Sequence, residues 1–317
     1  MTSEIPWATE AEISVEQVLD LLAADQPQLH VQQMTYLGEG WSSFVFLADG
    51  RWVLRFPKRR DVERRLEKEI RILPLLERHL TIAVPHIAIS GKSTAHFPFR
   101  YVGYEKLDGV FAWDLDDHFD REGVACSLGS FLSELHAFPP AEALAAGCEE
   151  HYEPFTSEAL ESVRREFART PDWPGRAALA ELMERYLGAL TGESLGRPEQ
   201  GVLTHADLLP DHLLLPASRD RVSGVIDWGE TGIRDPAADF AGLFYWRGRD
   251  LVRDVLAHYS GPADPNIIER ARFIALPVGI GDVFYGLAAS RPEYFRVGLD
   301  CVMHCLEGTP VPPRGQI

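Results

Sequence analysis

Cysteine is scarce in this chain, with four residues in 317. Cys126, Cys148, Cys301 and Cys305 are too few and too unevenly spaced for a disulfide framework. Cys301, His304 and Cys305 stand within reach of one another on a helix, as metal ligands do, but the pattern around them is apolar and they read as buried thiols. Long hydrophobic runs are missing as well. The longest, residues 241–246 and 273–280, fall short of the roughly 20 residues that span a bilayer, so no membrane partner is expected. Residues 1–12 carry acids and no apolar run, unlike a secretory signal; a cytoplasmic location is expected. Basic charge is in deficit: 31 Lys and Arg against 48 Asp and Glu leave a net charge of −17. That argues against a nucleic-acid partner, whose phosphates demand a basic surface, and suits a cationic small molecule. Internal repeats and low-complexity segments are absent from the sequence.

What is present suffices for two lobes. Ser14 followed by Gln17 is a capping-box start for a first helix. Residues 34–37, 43–48 and 51–56 then alternate as strands, separated by Gly38-Glu39-Gly40 and by the tight Asp49-Gly50 turn. Residues 61–80 predict an amphipathic helix with Leu66, Ile70, Leu73 and Leu76 on one face, which Pro74 should kink or split. Short strands are expected around 85–90 and 99–107, and Asp108-Gly109 marks the boundary between an N-lobe (1–107) and a C-lobe (108–317). Beyond it helices dominate: a stripe through Leu128, Phe131, Leu132 and Leu135 stopped by Pro139-Pro140, then 155–168, 177–190 and most of 236–306. The fold class is therefore α+β, a small β-rich lobe before a larger helical one, and the cleft between them is the expected ligand site.

The chemistry concentrates in Thr204-His205-Ala206-Asp207-Leu208-Leu209-Pro210-Asp211-His212 and in Val225-Ile226-Asp227-Trp228. Phosphoryl transfer asks little covalent help of a protein: one carboxylate to receive the hydroxyl proton, another to hold the metal on the phosphates. Asp207 suits the first role and Asp227 the second. His205 reads as a structural residue that hydrogen-bonds the loop. His212 alone is a poor magnesium ligand, because magnesium prefers oxygen; its spacing from Asp207 is what singles it out.

These segments resemble the catalytic loop of the antibiotic-phosphotransferase branch of the protein-kinase-like superfamily. The usual form there is His-Gly-Asp, a metal ligand five residues later, and a downstream Ile-Asp-Trp or Ile-Asp-Phe. Ala206 stands here in place of the customary Gly. His212 takes a position that most relatives give to Asn, and that macrolide and some aminoglycoside 2″ branches give to His. The resemblance implies a bilobal protein-kinase-like fold, Mg²⁺ held by Asp227 and His212, and Asp207 as the catalytic carboxylate.

It also orders the nucleotide side. Gly38 and Gly40 let the backbone approach phosphates, with Ser42 or Ser43 as donors. Arg55 falls where kinases carry the phosphate-binding lysine, a departure because Arg and Lys are not equivalent. Lys58, beyond Pro57, is expected to face solvent. Glu69 is the expected partner of Arg55, whereas Glu63 and Glu67 read as solvated. Backbone groups of Glu105 and Leu107 would meet the purine, and Ile226 is assigned to the nucleotide side. GTP and ATP both remain open, with GTP implied by the resemblance.

Resemblance covers residues 30–305 or so and is strongest to macrolide 2′-phosphotransferases, then aminoglycoside 2″-phosphotransferases. It rests on Trp52-Val53-Leu54-Arg55 with Pro57 and Arg59, Ala83-Val84-Pro85, Val163-Arg164-Arg165-Glu166-Phe167, and Arg221 through Trp228 with Glu230. A macrolide is mostly apolar but carries an ammonium beside its acceptor hydroxyl. An aromatic wall is sought among Phe244, Tyr245, Trp246, Phe284, Tyr285 and Tyr294, with Tyr285 preferred, and ammonium partners in Glu230 and Asp282. Asp235 and Asp239 read as braces. The alternatives are an aminoglycoside kinase, a metabolite kinase, and a nucleotide-binding protein that has lost catalysis.

Overall fold

The computed structural model describes residues 9–307 except 41, 96, 116–117, 152–155 and 199. Trp41 and the expected helix start at residue 155 lie outside the described residues. Helix α1 (Val15–Asp25) opens on the Ser14–Gln17 capping box. Strands β1 (Met34–Glu39), β2 (Ser43–Ala48) and β3 (Trp52–Pro57) follow, then α2 (Arg60–His79), β4 (Ile87–Gly91) and β5 (Tyr101–Glu105). The five strands form one antiparallel sheet in the order β1-β2-β3-β5-β4. Its core is Phe46, Leu54, Phe56, Phe97 and Tyr101, covered by Val18 and Leu22 of α1.

The C-lobe begins with β6 (Val110–Phe111). It continues through α3 (Arg121–His136), α4 (Pro140–Ala145), α5 (Ser157–Arg169), α6 (Arg176–Ala189) and α7 (Gly192–Leu195). The short strands β7 (Val202–Thr204), β8 (Leu213–Leu215), β9 (Gly224–Val225) and β10 (Gly232–Arg234) come next. Three long helices close the chain: α8 (Ala237–Ala257), α9 (Ile267–Ala288) and α10 (Pro292–Leu306). The strands pair as β10-β7 and β6-β8-β9, two small ladders that carry the loops of the site on their ends. The fold is the expected α+β, bilobal and kinase-like.

Helix α2 runs unbroken through Pro74. The expected split does not occur: Leu66, Ile72, Leu73 and Leu76 are buried on both sides of the proline, so packing holds the two halves together where one backbone hydrogen bond is lost. Ile72, Leu73 and Leu76 belong to the C-lobe core and not to that of the sheet. The helix thus joins the two lobes. Among the described residues α9 is long and apolar enough to cross a membrane by length and composition alone. Arg270 and Arg272 break its apolar run in the sequence, and both are buried where α9 packs between α8 and α10. Cys301 and Cys305 are buried thiols, and no metal-holding cluster of three His, Cys, Asp or Glu occurs among the described residues.

Candidate active site

The loop after β7 is held from below by a fully buried carboxylate. Asp239, in the first turn of α8, accepts from the backbone N–H groups of His205 (3.2 Å) and Ala206 (2.7 Å), and from His136 Nε2 (3.0 Å). Asp235 braces the same region by accepting from Ala237 N (2.8 Å) and from Arg270 Nε (2.6 Å). His205 donates from Nε2 to Ile226 O at 3.0 Å, so its Nδ1 is the acceptor for Asp207 N at 3.3 Å. Burial, aided by His212, pushes its pKa down to about 4. A neutral, twice-bonded imidazole stitches the Asp207 loop to the Asp227 loop and has no proton to trade near neutrality. Ala206 sits in the left-handed region (φ 65°), the conformation that glycine adopts at no steric cost.

Above this floor stand Asp207, Asp211, His212 and Asp227. His212 Nδ1 lies 2.7 Å from Asp207 O. A carbonyl only accepts, so Nδ1 carries the proton and Nε2 is the atom offered outward. Nε2 faces Asp227 Oδ2 at 3.8 Å and Asp211 Oδ2 at 3.9 Å. Burial opposes charge on His212, but Asp211, Asp207 and Asp227 outweigh it and raise its pKa to about 9. For Asp227 burial also acts against charge, yet Arg55 and then His212 hold its carboxyl down at about 2. Asp207 moves the other way: burial raises it, His212 opposes, and Asp227 and Asp211 reinforce the rise to about 6. It remains ionised at neutral pH while being a stronger base than an ordinary aspartate.

The residues present fit a shared divalent cation. Asp211 Oδ1 is buried with no hydrogen-bond partner, and the Asp227 carboxylate stands beside it; His212, protonated near neutrality with its pKa at about 9, would join them through Nε2 when the incoming cation displaces that proton. Two or three side-chain donors do not close a cage, which matches Mg²⁺: it keeps much of its shell as water and substrate phosphate oxygen.

On the sheet side a cavity of about 470 Å³ is roofed by Gly38, Gly40, Val45 and Val53 and floored by Leu214 and Ile226. A Cβ at Gly38 or Gly40 would meet nothing within 4 Å, so the turn stands open over the cavity. Arg55 brings a deeply buried guanidinium to it: Nη1 lies 2.8 Å from Glu69 Oε2, and Nη2 lies 2.9 Å from Asp227 Oδ1. Burial works against the guanidinium charge, and Asp227 and Glu69 more than restore it. Lys58 does not face solvent. It is 4% exposed, 2.8 Å from Glu39 of the glycine turn and over the ring of Phe44. Tyr104, Lys106 and Leu107 line the cavity, whereas Glu105 is not a lining residue and pairs with Arg51 outside it. Ser42 reaches the adjoining cavity, while Ser43 is buried in β2 and lines neither. Glu63 is also less solvated than expected, accepting from Arg100 N at 2.7 Å.

That adjoining cavity, about 500 Å³, shares Gly40, Arg55, Asp211, His212 and Asp227 with the first. Asp207 is at its base, with Trp113, Tyr245 and Tyr294 as aromatic walls and Asp282 and Glu230 at its sides. Asp282 accepts from Tyr245 OH at 2.7 Å. Burial lifts its pKa, the tyrosine hydroxyl resists, and Asp211 and Asp207 add to the rise, to about 7. Glu230 is already engaged by Arg65, with Arg234 at 3.8 Å. Tyr285 does not line the cavity. Tyr294 stands edge-on over it, centroids 4.9 Å apart, and presents its own ring instead. Phe244 is core, Trp246 stacks on Phe119, and Phe284 lies under Arg169. The sequence reading passed over Asp211 and Trp113 as site residues. The signal for Asp211 was there, an acid one residue before His212 in the same loop.

With this geometry in view, comparisons with known proteins are informative. Residues 33–273 match the phosphotransferase enzyme family. Viomycin phosphotransferase of Streptomyces vinaceus is 33% identical over 188 residues, 56% of this chain and 60% of that protein. The chain matches about three fifths of the length of the curated relatives it resembles. Among solved structures, a macrolide 2′-phosphotransferase from Brachybacterium faecium superposes with a TM-score of 0.62 at 27% identity, covering 95% of this chain and 100% of that one. The GDP complex of a wild-type aminoglycoside 2′-phosphotransferase gives a TM-score of 0.72 at 25% identity, covering 93% and 99%. The matched span contains the glycine turn, Arg55, Glu69 and the segments 204–212 and 225–228, and the chain belongs to the phosphotransferase enzyme family.

Proposed function

We propose that this protein transfers the γ-phosphoryl group of GTP or ATP to a hydroxyl of a cationic antibiotic-class molecule, the 2′-hydroxyl of a macrolide in the first instance. The observation that carries the reading is the junction of the two cavities: one is apolar and glycine-roofed, the other acidic and aromatic, and Arg55, Asp227, Asp211 and His212 line both. The N-lobe (1–107) holds the nucleotide and the C-lobe (108–317) the acceptor, in a cytoplasmic protein.

Arg55, aligned by Glu69, steadies the phosphates. Asp227 and His212 hold Mg²⁺, with Asp211 beside them; the ion, when bound, neutralises charge on the transferring phosphoryl group. Asp207 orients the acceptor hydroxyl and takes its proton late, because the transition state is loose. Trp113, Tyr245 and Tyr294 give the acceptor an apolar face, and Asp282 meets its ammonium. A second reading, an aminoglycoside acceptor, is favoured by the number of acids on the same wall. Neighbouring solved structures are complexes with GDP and with ATP, which supports both donors.

The test is phosphate transfer from GTP and from ATP against macrolide and aminoglycoside panels. Turnover on a macrolide, lost in Asp207→Ala, is expected. Turnover only on aminoglycosides replaces the first reading by the second, and silence on both panels overturns the proposal.

A further inference from the structure

A separate cavity of about 540 Å³ lies between α2 and β10, and Arg65, Gly229 and Glu230 line both it and the acceptor cavity. Its walls carry five Lys and Arg against four Asp and Glu, in a chain whose net charge is −17; Arg65 and Arg234 meet Glu230, whereas Lys68 and Arg71 do not meet a carboxylate among the described residues. Lys68 donates from Nζ to Thr231 O (2.6 Å), and Arg71 donates from Nε to Ala146 O (2.8 Å). Neither forms an ion pair among the described residues. Two further groups here are buried with no hydrogen-bond partner, Thr231 Oγ1 and Arg234 Nε, and Thr231 as a whole is 1% exposed.

Orphaned buried donors are rare and costly, so each one points to a missing acceptor. Guanidinium and ammonium groups only donate, and the hydroxyl is able to. The missing partner is therefore rich in acceptors and negative. Donors arrive from α2, from Thr231 and from β10. The planar pair of oxygens on a carboxylate serves fewer directions than the three or four oxygens of a phosphoryl group. Of the lining acids, Asp61 is held by Arg59, Glu230 by Arg65 with Arg234 at 3.8 Å, and Glu149 is at the exposed rim beside His151, which leaves Lys68 and Arg71 to an outside partner. Burial lowers the pKa of Lys68, and Arg234 and Arg65 lower it further against Cys148 and Glu69.

We propose that this cavity is a binding site for a phosphate-class oxyanion, held by Lys68, Arg71, Thr231 and Arg234, which braces α2 against the C-lobe. Lys68 and Arg71 flank Glu69 on that helix, so the bound anion fixes the height at which Glu69 reaches Arg55. The binding claim is independent of the proposed function; only the coupling to Arg55 rests on it.

The experiment is calorimetric titration of inorganic phosphate into the full chain presaturated with Mg²⁺ and a non-hydrolysable GTP analogue, which fills the phosphate positions of the cleft. One phosphate is expected to bind, about tenfold more weakly in Lys68→Met/Arg234→Gln and about threefold more weakly in Thr231→Val. If the double variant melts early, Thr231→Val alone decides, because it preserves shape. No binding, unchanged affinity in the variants, or equal binding of acetate overturns the proposal. A parallel titration with glycerol phosphate identifies the source: tighter binding than inorganic phosphate assigns a phosphorylated metabolite, and weaker binding assigns free phosphate. If the nucleotide analogue does not bind but phosphate still does, residue-specifically, the proposed function fails and this site stands.

Discussion

The two halves of the cleft are built on opposite principles. The proposed nucleotide half is mostly apolar, and the charge of its buried guanidinium, Arg55, is matched by Glu69 and Asp227. The acceptor half is crowded with acids, and their mutual repulsion together with burial raises Asp207 to about 6 and Asp282 to about 7. One half binds by shape and a fixed countercharge. The other holds an excess of negative charge that a cationic guest, a metal ion or a proton relieves. Substitutions therefore have different signatures on the two sides.

The largest expected effect is at their junction. Asp207→Ala should lower kcat about a hundredfold or more and leave nucleotide affinity and melting temperature near those of the parent. Retention of more than a tenth of the turnover would remove Asp207 from the chemistry. Next comes the buried cation. Arg55→Ala strands Glu69 and Asp227 without their partner and should cost about 3–5 kcal/mol of stability, with a large loss of nucleotide affinity. Lys58→Ala breaks a pair whose partner Glu39 is 56% exposed on its side chain and should cost about 1 kcal/mol or less. Chemical denaturation of both variants checks the stability ranking, and a nucleotide affinity that falls further in Lys58→Ala than in Arg55→Ala would mean that Lys58 carries the phosphates.

The acceptor half has a pH signature that the nucleotide half lacks. The carboxyl of Asp282 is raised to about 7, so it is charged above that pH and neutral below. For a cationic acceptor, KM should climb by up to about tenfold per pH unit as pH falls below 7, while KM for the nucleotide stays flat. Asp282→Asn should abolish the dependence and hold KM at its low-pH value. A pH-independent acceptor KM in the parent would place the ammonium elsewhere.

What the sequence made legible was local. Asp207, His212 and Asp227 are fixed by spacing within short loops, and Arg55 by strand alternation. The structure brings these four together, with Glu69 meeting Arg55. What escaped depended on packing. Lys58 lies one residue past the end of β3, where the sequence places it in solvent. The chain instead stays on the sheet: Lys58 N–H donates to Ser42 O at 2.9 Å, and Glu10 N–H to Lys58 O at 2.9 Å. Tyr285 follows Val278 and Asp282 on the correct stripe of α9, yet a residue from α10, Tyr294, lies across it, and no periodicity within one helix reveals that. Pro74 does not split α2 because the helix is packed on both sides of it, a fact of tertiary structure.

The smallest expected effect concerns backbone strain at the junction. Ala206 and Asp227 both sit at positive φ, 65° and 62°. An aspartate tolerates the left-handed region better than an alanine does, and Asp227 cannot be changed without removing its carboxylate. Ala206 is the cleaner probe. Its Cβ costs roughly 1–2 kcal/mol in that conformation, whereas glycine costs roughly 0.5–1 kcal/mol in extra unfolded-state freedom. Ala206→Gly should therefore stabilise by about 1 kcal/mol or less, a rise in Tm of roughly 1–2 °C for a chain of this size. The backbone N–H of residue 206 keeps its bond to Asp239 in either case, so turnover should be unchanged. A fall in Tm would mean that the grip of Asp239, at 2.7 Å, already offsets the strain and that the alanine serves to stiffen the loop in the unfolded chain.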